Sequence, residues 1–255
     1  LEQNYPQNHF EIIMVDNNST DGTAEIVSRS SRIRLIGEPK QGSYVARNRG
    51  ILAADGDVIA FTDPDCQPHP NWLSCIMSTM RHHRLGIILG KREFASNSRG
   101  LSMLVDYETV KAAHVFSSDL KEIYFGYTNN MAVRKSLFDK LGRFLEIDRG
   151  ADTVFVRKAV EEYGCKIVSF TPEVCVRHLE IDSVWDFFKK KRIYGQSNER
   201  NRSLGTARSL SNTERLGVFI KTVRKQQYSL SKSIQFFVLL GLGLLSYEFG
   251  RWRAA

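Results

Sequence analysis

Asp63 and Asp65, two carboxylates separated by one residue, close the apolar run Val58-Ile59-Ala60-Phe61. β-Branched and aromatic residues fit a strand packed on both faces, so residues 58–61 are expected to form a short buried strand. Pro64 has no N–H to extend a ladder, and the strand should stop near Asp63. Both carboxylates then sit at its carboxyl end, where open α/β sheets bind ligands. Hard oxygen donors there suit Mg²⁺ or Mn²⁺, ions that share their shell with substrate phosphates. A solvated turn carries the same pattern, so the reading needs support from other residues.

Five further groups bear on it. Asp16 ends an expected strand over 11–15, and the turn Asn17-Asn18-Ser19-Thr20-Asp21-Gly22 follows. The segment is either an ordinary strand–turn–helix or a nucleotide loop, in which Asp16 accepts a base N–H and Asn17 offers a donor and an acceptor. Arg47, near the start of an expected helix over 43–54, faces phosphates or base, or only solvates the surface. Asp152, at the start of a helix expected over 153–163, is either a cap worth about 1 kcal/mol or a carboxylate that takes a proton from a hydroxyl nucleophile. His178, after an expected strand, is structural or joins oxygen ligands on a metal. The run Lys189-Lys190-Lys191-Arg192 is a solvated face, or meets anionic lipid, a lipid-linked phosphate or a pyrophosphate leaving group.

The elements that must position these groups alternate between strand and helix. Strands are expected over 11–15, 33–36, 58–61, 86–90, 166–170 and 173–177, the last two divided at Thr171-Pro172. Helices are expected over 23–30, 43–54, 70–82, 100–114, 135–141, 153–163 and 183–201. His69, His82 and His83 read as surface histidines rather than a ligand set. The chain has 255 residues, enough for one large domain or a domain with an appendage, and a net charge of +8. Much of that excess lies beyond Lys189. Anionic membranes and phosphorylated substrates suit it; nucleic acid does not, because no basic surface interleaved with aromatics is present. Cys66, Cys75, Cys165 and Cys175 form no Cys-x-x-Cys pair and read as free thiols in a reducing compartment. No signal-peptide pattern opens the chain, and Leu1 in place of Met suggests a start inside a longer protein.

Residues 204–212 read as a linker. Residues 234–247 are the most hydrophobic stretch, near the roughly 20 residues that span a bilayer once the flanks are added. Lys232, Arg251, Arg253 and Trp252 suit interfacial anchoring. A transmembrane or interfacial helix is preferred over a buried core helix. The expected organisation is a catalytic domain over 1–203, a basic linker or helical segment over 204–232, and a membrane-associated segment over 233–255. A single pass would use residues 233–252.

In order and spacing, these motifs resemble family 2 glycosyltransferases. Val15-Asp16-Asn17-Asn18-Ser19-Thr20-Asp21-Gly22-Thr23 is similar to the family's first block. Gly42 to Gly50 with Ala54-Asp55-Gly56-Asp57 follows its second, and Phe61-Thr62-Asp63-Pro64-Asp65 its Asp-x-Asp block. Gly142-Arg143-Phe144, Gly150-Ala151-Asp152 and Pro172 through His178 follow its later order. The resemblance covers roughly residues 1–195. It implies a GT-A fold: an α/β nucleotide-binding domain with a mostly parallel mixed sheet flanked by helices, here with a C-terminal hydrophobic helix. It implies inverting transfer of a sugar from a UDP- or GDP-linked donor to a carbohydrate or lipid-linked hydroxyl, with Mn²⁺ or Mg²⁺, at the cytoplasmic face of a membrane. Asp16 and Asn17 would hold the base and Arg47 the nucleotide. Asp63 would lie near ribose or metal, Asp65 on the metal, and Asp152 would be the general base. His178 joins the expected metal set, and Arg192 the donor site.

The chain departs from the pattern at Asn17 and Ala151, where the family often has Asp and Glu. It is also expected to lack the family's first strand and its loop. Two other readings stay open: a subunit that binds nucleotide sugar without turnover, and a phosphotransferase with Asp63 as nucleophile.

Overall fold

The computed structural model describes residues 2–82, 84–95, 98–204 and 208–254; His83 and part of the expected linker lie outside them. The chain opens with β1 (Ile12–Asp16), α1 (Thr23–Ser28), β2 (Ile33–Gly37) and α2 (Ser43–Ala53). Then come β3 (Val58–Thr62), β4 (Cys66–Pro68), α3 (Trp72–Met80), β5 (Ile87–Phe94) and α4 (Arg99–Phe116). β6 (Asn130–Arg134), α5 (Lys135–Leu141), α6 (Ala151–Tyr163) and β7 (Val168–His178) complete the sheets. α7 (Val184–Arg200), α8 (Asn212–Lys225) and α9 (Leu230–Trp252) follow.

β1 and β2 form a parallel pair, and the other strands form a five-stranded sheet in the order β3-β6-β5-β7-β4. The architecture is α/β with a mixed sheet, as expected. The sheet is not mostly parallel as expected: within the five strands only β5/β7 is parallel. β6 enters at the end where β5 leaves, after α4 and the 117–129 loop, and so pairs antiparallel on both sides. The strand ending at Asp63 is less buried than expected. β3 is an edge strand, so Val58, Ile59 and Ala60 are half-buried and only Phe61 is fully buried. β1, with an open edge of its own, is half-buried throughout.

The core lies on the central strands. Ile87, Ile88 and Leu89 of β5 and Met131 and Val133 of β6 are fully buried. An aromatic group of Phe61, Phe138, Phe144 and Phe155 packs α5 and α6 to β3, its ring centroids 4.7–6.1 Å apart. Each such ring contributes roughly 1.5–3 kcal/mol by burial. Pro172 does not divide β7. The register with β5 jumps from Gly90↔Thr171 to Lys91↔Cys175, so the proline sits in a bulge where its missing N–H is harmless. Gly90 is required there, because a Cβ would lie 2.0 Å from the Val174 carbonyl.

α9 is folded back along α7. A Cβ on Gly195 would lie 2.0 Å from the Tyr247 carbonyl, and one on Gly250 would lie 2.0 Å from the Arg192 carbonyl. The two backbones therefore touch. α9 buries Phe236, Gly243 and Gly250 on this side. Leu230, Ile234, Val238, Leu242, Leu245 and Trp252 form an exposed stripe on the other, flanked by the partly exposed rings of Phe237 and Phe249. By length and composition this helix could cross a membrane.

Candidate active site

The bend after β3 splits the two carboxylates. Asp63 Oδ1 accepts a hydrogen bond from Arg47 Nη2 at 2.5 Å, and both side chains are partly shielded from solvent. Arg47 is presented by α2, with its guanidinium 5.3 Å from the Tyr44 ring centre. Asp65 turns the other way, to His178 Nε2 at 3.5 Å. β4 causes this meeting by pairing with the end of β7, Cys66 opposite His178. Asp65, Cys66 and His178 thus bring one carboxylate oxygen, one sulfur and one ring nitrogen within 4.8 Å of one another. Asp63, expected to share the metal, is drawn off by Arg47 and is not in that group. Cys66 was missed as a neighbour of the site because nothing in the sequence marks β4 as a strand.

The group fits a divalent cation. His178 is buried, which holds its pKa below the usual histidine range against the pull of Asp65, so its imidazole is neutral. Its Nδ1 is buried without a hydrogen-bond partner, as is Oδ1 of Asn129. Both residues line a small cavity of about 60 Å³. Burial, helped by Asp65 and Asp63, pushes the Cys66 thiol up to about 12, so a cation bound here has to displace that proton before the sulfur can join as a ligand. Asp65 and His178 are the donors of this group that need lose no proton to hold a metal; among the described residues His69, Glu93 and Cys175 form a second group of the same kind.

Asp152 lies in the first turn of α6, where Gly150 at φ +87° takes the capping position. The carboxylate is 8% exposed. Its Oδ1 accepts from the Thr153 N–H at 2.8 Å and its Oδ2 from the Thr128 N–H at 3.1 Å. Burial raises its pKa, opposed by the Tyr44 hydroxyl, these two amides and Arg47. A carboxylate oriented by backbone donors and raised by burial is suited to proton transfer. The 117–129 loop reaches α6 because Gly126 lies against it; a Cβ there would be 2.5 Å from the Asp152 carbonyl.

Asn17 does something other than expected. Its amide nitrogen donates to the Glu38 and Lys40 carbonyls at 2.7 and 2.8 Å, and its Oδ1 accepts from the Gly42 N–H at 2.8 Å. The side chain ties β1 to the loop before α2, so its donor and acceptor are occupied within the protein. Asp16 accepts from the Ser19 N–H at 3.3 Å, which holds the turn after β1.

Arg47, Asp63 and Asp152 line one large cavity of about 1040 Å³, which runs on between α4, α7, α8 and α9. Lys190 and Lys191 face it. Arg192 does not: its guanidinium lies 4.8 Å over the Phe249 ring of α9. Successive helical residues point about 100° apart, so one basic run cannot aim every side chain at one site. The expected donor contact of Arg192 is replaced by packing against α9. Of the expected surface histidines, His69 pairs with Glu93 at 3.4 Å, a carboxylate that also takes Lys91 at 2.8 Å.

Residues 1–142 match the family described as Glycosyl transferase family 2. The chain belongs to that family. It is 32% identical over 165 residues to the glycosyltransferase AglE of Haloferax volcanii, covering 62% of this chain and 54% of AglE. It is 40% identical over 70 residues to a teichuronic acid biosynthesis glycosyltransferase assignment, TuaG of Bacillus subtilis, covering 26% of this chain and 27% of TuaG. The chain thus spans about half the length of AglE, and less of TuaG. Among solved structures, a mannosyltransferase from Pyrobaculum calidifontis in complex with GDP-Man and Mn²⁺ superposes with a TM-score of 0.58 at 19% identity, covering 99% of this chain and 76% of the other. TarS of S. aureus in complex with UDP gives 0.53 at 18% identity, covering 96% and 74%. These likenesses establish the GT-A fold.

Proposed function

We propose that this chain carries the donor site and general base of an inverting, metal-dependent glycosyltransferase that uses a UDP- or GDP-linked sugar. One observation carries the reading: the buried, up-shifted carboxylate of Asp152 lines the same cavity as the Arg47–Asp63 pair. Arg47 and Asp63 bind the nucleotide, Asp63 accepting from ribose and Arg47 facing phosphate. Asp16 remains the candidate acceptor for a base N–H, while Asn17 shapes the loop around it. The acceptor hydroxyl gives its proton to Asp152 as its oxygen attacks the anomeric carbon. The bond from that carbon to the donor phosphate breaks from the opposite face, and its electron pair leaves on the diphosphate, so the centre inverts. A divalent cation at Asp65 and His178 would neutralise charge on the departing diphosphate. Mixed oxygen and nitrogen donors suit Mn²⁺ better than Mg²⁺, which prefers oxygen. Donors of the fold neighbours guide the choice of UDP and GDP as probes.

The reading extends to a membrane surface. The outer stripe of α9 is apolar, and Lys221, Arg224, Lys225, Lys232, Arg251 and Arg253 lie on or beside α8 and α9. Because α9 is clamped to α7 backbone to backbone, we place it in the interfacial plane rather than across the bilayer. Four free thiols suit the cytoplasmic face.

Calorimetric titration with UDP and with GDP, in Mn²⁺ and in chelator, tests the donor site. Binding that needs Mn²⁺ and is lost in Asp65→Ala supports it. Equal binding by wild type and variant would reject the ligand assignment.

A further inference from the structure

The transfer step leaves a second polar region of the large cavity unused. Glu108 and Lys111 of α4 and Lys191 of α7 form a triad, Glu108 receiving Lys111 at 2.5 Å and Lys191 at 2.7 Å. Burial works to raise the Glu108 pKa, but the two ammonium groups prevail and hold it well below the carboxylate range. Arg92 of β5 lies 4.1 Å over the Tyr127 ring, and among the described residues it has no carboxylate partner. Lys190 pairs with Glu180 at 2.7 Å. Arg92, Lys111, Lys190 and Lys191 all line the wall. Four cations less the two carboxylates Glu108 and Glu180 leave a charge of +2. Positive charge in a partly desolvated wall is costly unless an anion meets it.

The same wall then turns apolar. Along α4 the lining passes from Lys111 through Tyr107 to Leu104, about 10 Å at the helical rise. Opposite stand Phe219 of α8 and Leu240 and Leu244 of α9. At its polar end the cation group adjoins the base, since Tyr127, beneath Arg92, precedes Thr128, whose N–H holds Asp152.

Resting on the transferase reading above, we infer that this region binds the acceptor, and that the acceptor is an amphiphile: a hydroxyl-bearing head joined through phosphate to an apolar tail. The hydroxyl faces Asp152, the phosphate sits against Arg92, Lys111 and Lys191, and the tail follows α4 between α8 and α9. The exposed apolar stripe of α9 adjoins the tail wall, the flanking Phe237 lining the cavity as well, so a lipid-borne acceptor reaches the cavity from the surface on which the protein rests.

Titration of the whole chain with dodecyl phosphate, dodecyl maltoside and inorganic phosphate, below the micellar range, tests this. Dodecyl phosphate should bind, and the other two should bind at least about 10-fold more weakly, the value of one charge-assisted contact. Arg92→Gln, which strands no carboxylate, should weaken dodecyl phosphate about 10-fold. Leu240→Gln should weaken it, while Leu245→Ser on the outer stripe should not. Equal affinity for the phosphate and the maltoside, or no effect of Arg92→Gln, overturns the inference. So does an equal loss in Leu245→Ser. If Arg92→Gln weakens Mn²⁺-dependent UDP or GDP binding as much as dodecyl phosphate binding, the cations serve the donor diphosphate and the inference also fails. Dodecyl phosphate binding that responds to Arg92 and Leu240, without any nucleotide binding, supports this site and removes the transferase reading instead.

Discussion

Arg47 of α2 and Asp63 at the end of β3 are joined at 2.5 Å, and this pair divides the Asp-x-Asp motif into two jobs. Asp63 is fixed to a cation of the protein, while Asp65 is left with His178. Arg47→Ala should weaken Mn²⁺-dependent nucleotide binding by about 10-fold, with a stability loss of only about 1 kcal/mol for a partly exposed pair. Calorimetry and urea denaturation of the same variant check both. Unchanged nucleotide affinity would remove Arg47 from the donor site.

Asp152→Asn should leave nucleotide affinity intact and lower turnover by roughly 10²–10⁴-fold, the usual worth of a general base. In the wild type, turnover should rise with pH through a value above the ordinary carboxylate range, because the base must be ionised. Normal turnover by the variant would dismiss the assignment.

The same burial makes a stability prediction with a definite sign. The folded-state pKa of Asp152 is raised, so the folded protein holds this proton more tightly than the unfolded chain. The stability this contributes is present below the ordinary carboxylate pKa and is lost as pH rises through the raised value. Asp152→Asn should therefore gain on the wild type between acidic and neutral pH. Denaturant midpoints of both proteins across that range give the answer; a difference independent of pH would refute the linkage.

Glu108→Gln should cost about 3–5 kcal/mol, because it leaves Lys111 and Lys191 without their shared carboxylate. A small change in denaturation midpoint would mean that water already screens the triad.

Gly250→Ala tests the seat of α9. A Cβ 2.0 Å from the Arg192 carbonyl forces α7 and α9 apart, with a cost of about 1–3 kcal/mol. Trypsin should then cut residues 208–232 faster than in wild type. Vesicle flotation addresses the other face: binding to phosphatidylglycerol vesicles should exceed binding to phosphatidylcholine, fall with salt, and weaken in Trp252→Ser. Indifference to lipid charge would count against the basic flanks.

Much of the fold was legible in local pattern. The strand at 33–36 and the helices at 43–54 and 135–141 follow from periodicity and turn chemistry. So does the class of chemistry, since Asp63, Asp65 and Asp152 have the residue types that bind metal and move protons. Strands β4 and β6 were not legible, because three residues containing a proline, and a polar-to-apolar junction, become strands only when β7 and β5 supply hydrogen-bonding partners. The tertiary structure alone decided which side chains meet. Asp63 turns to Arg47 and Asp65 to His178 because β4 pairs with β7; Asn17 is consumed by loop carbonyls far along the chain; Lys190 and Lys191 face the cavity while Arg192 packs on α9. Sequence sets the chemistry each residue carries, but orientation depends on contacts between residues distant in the chain, and those exist only once the strands and helices have packed.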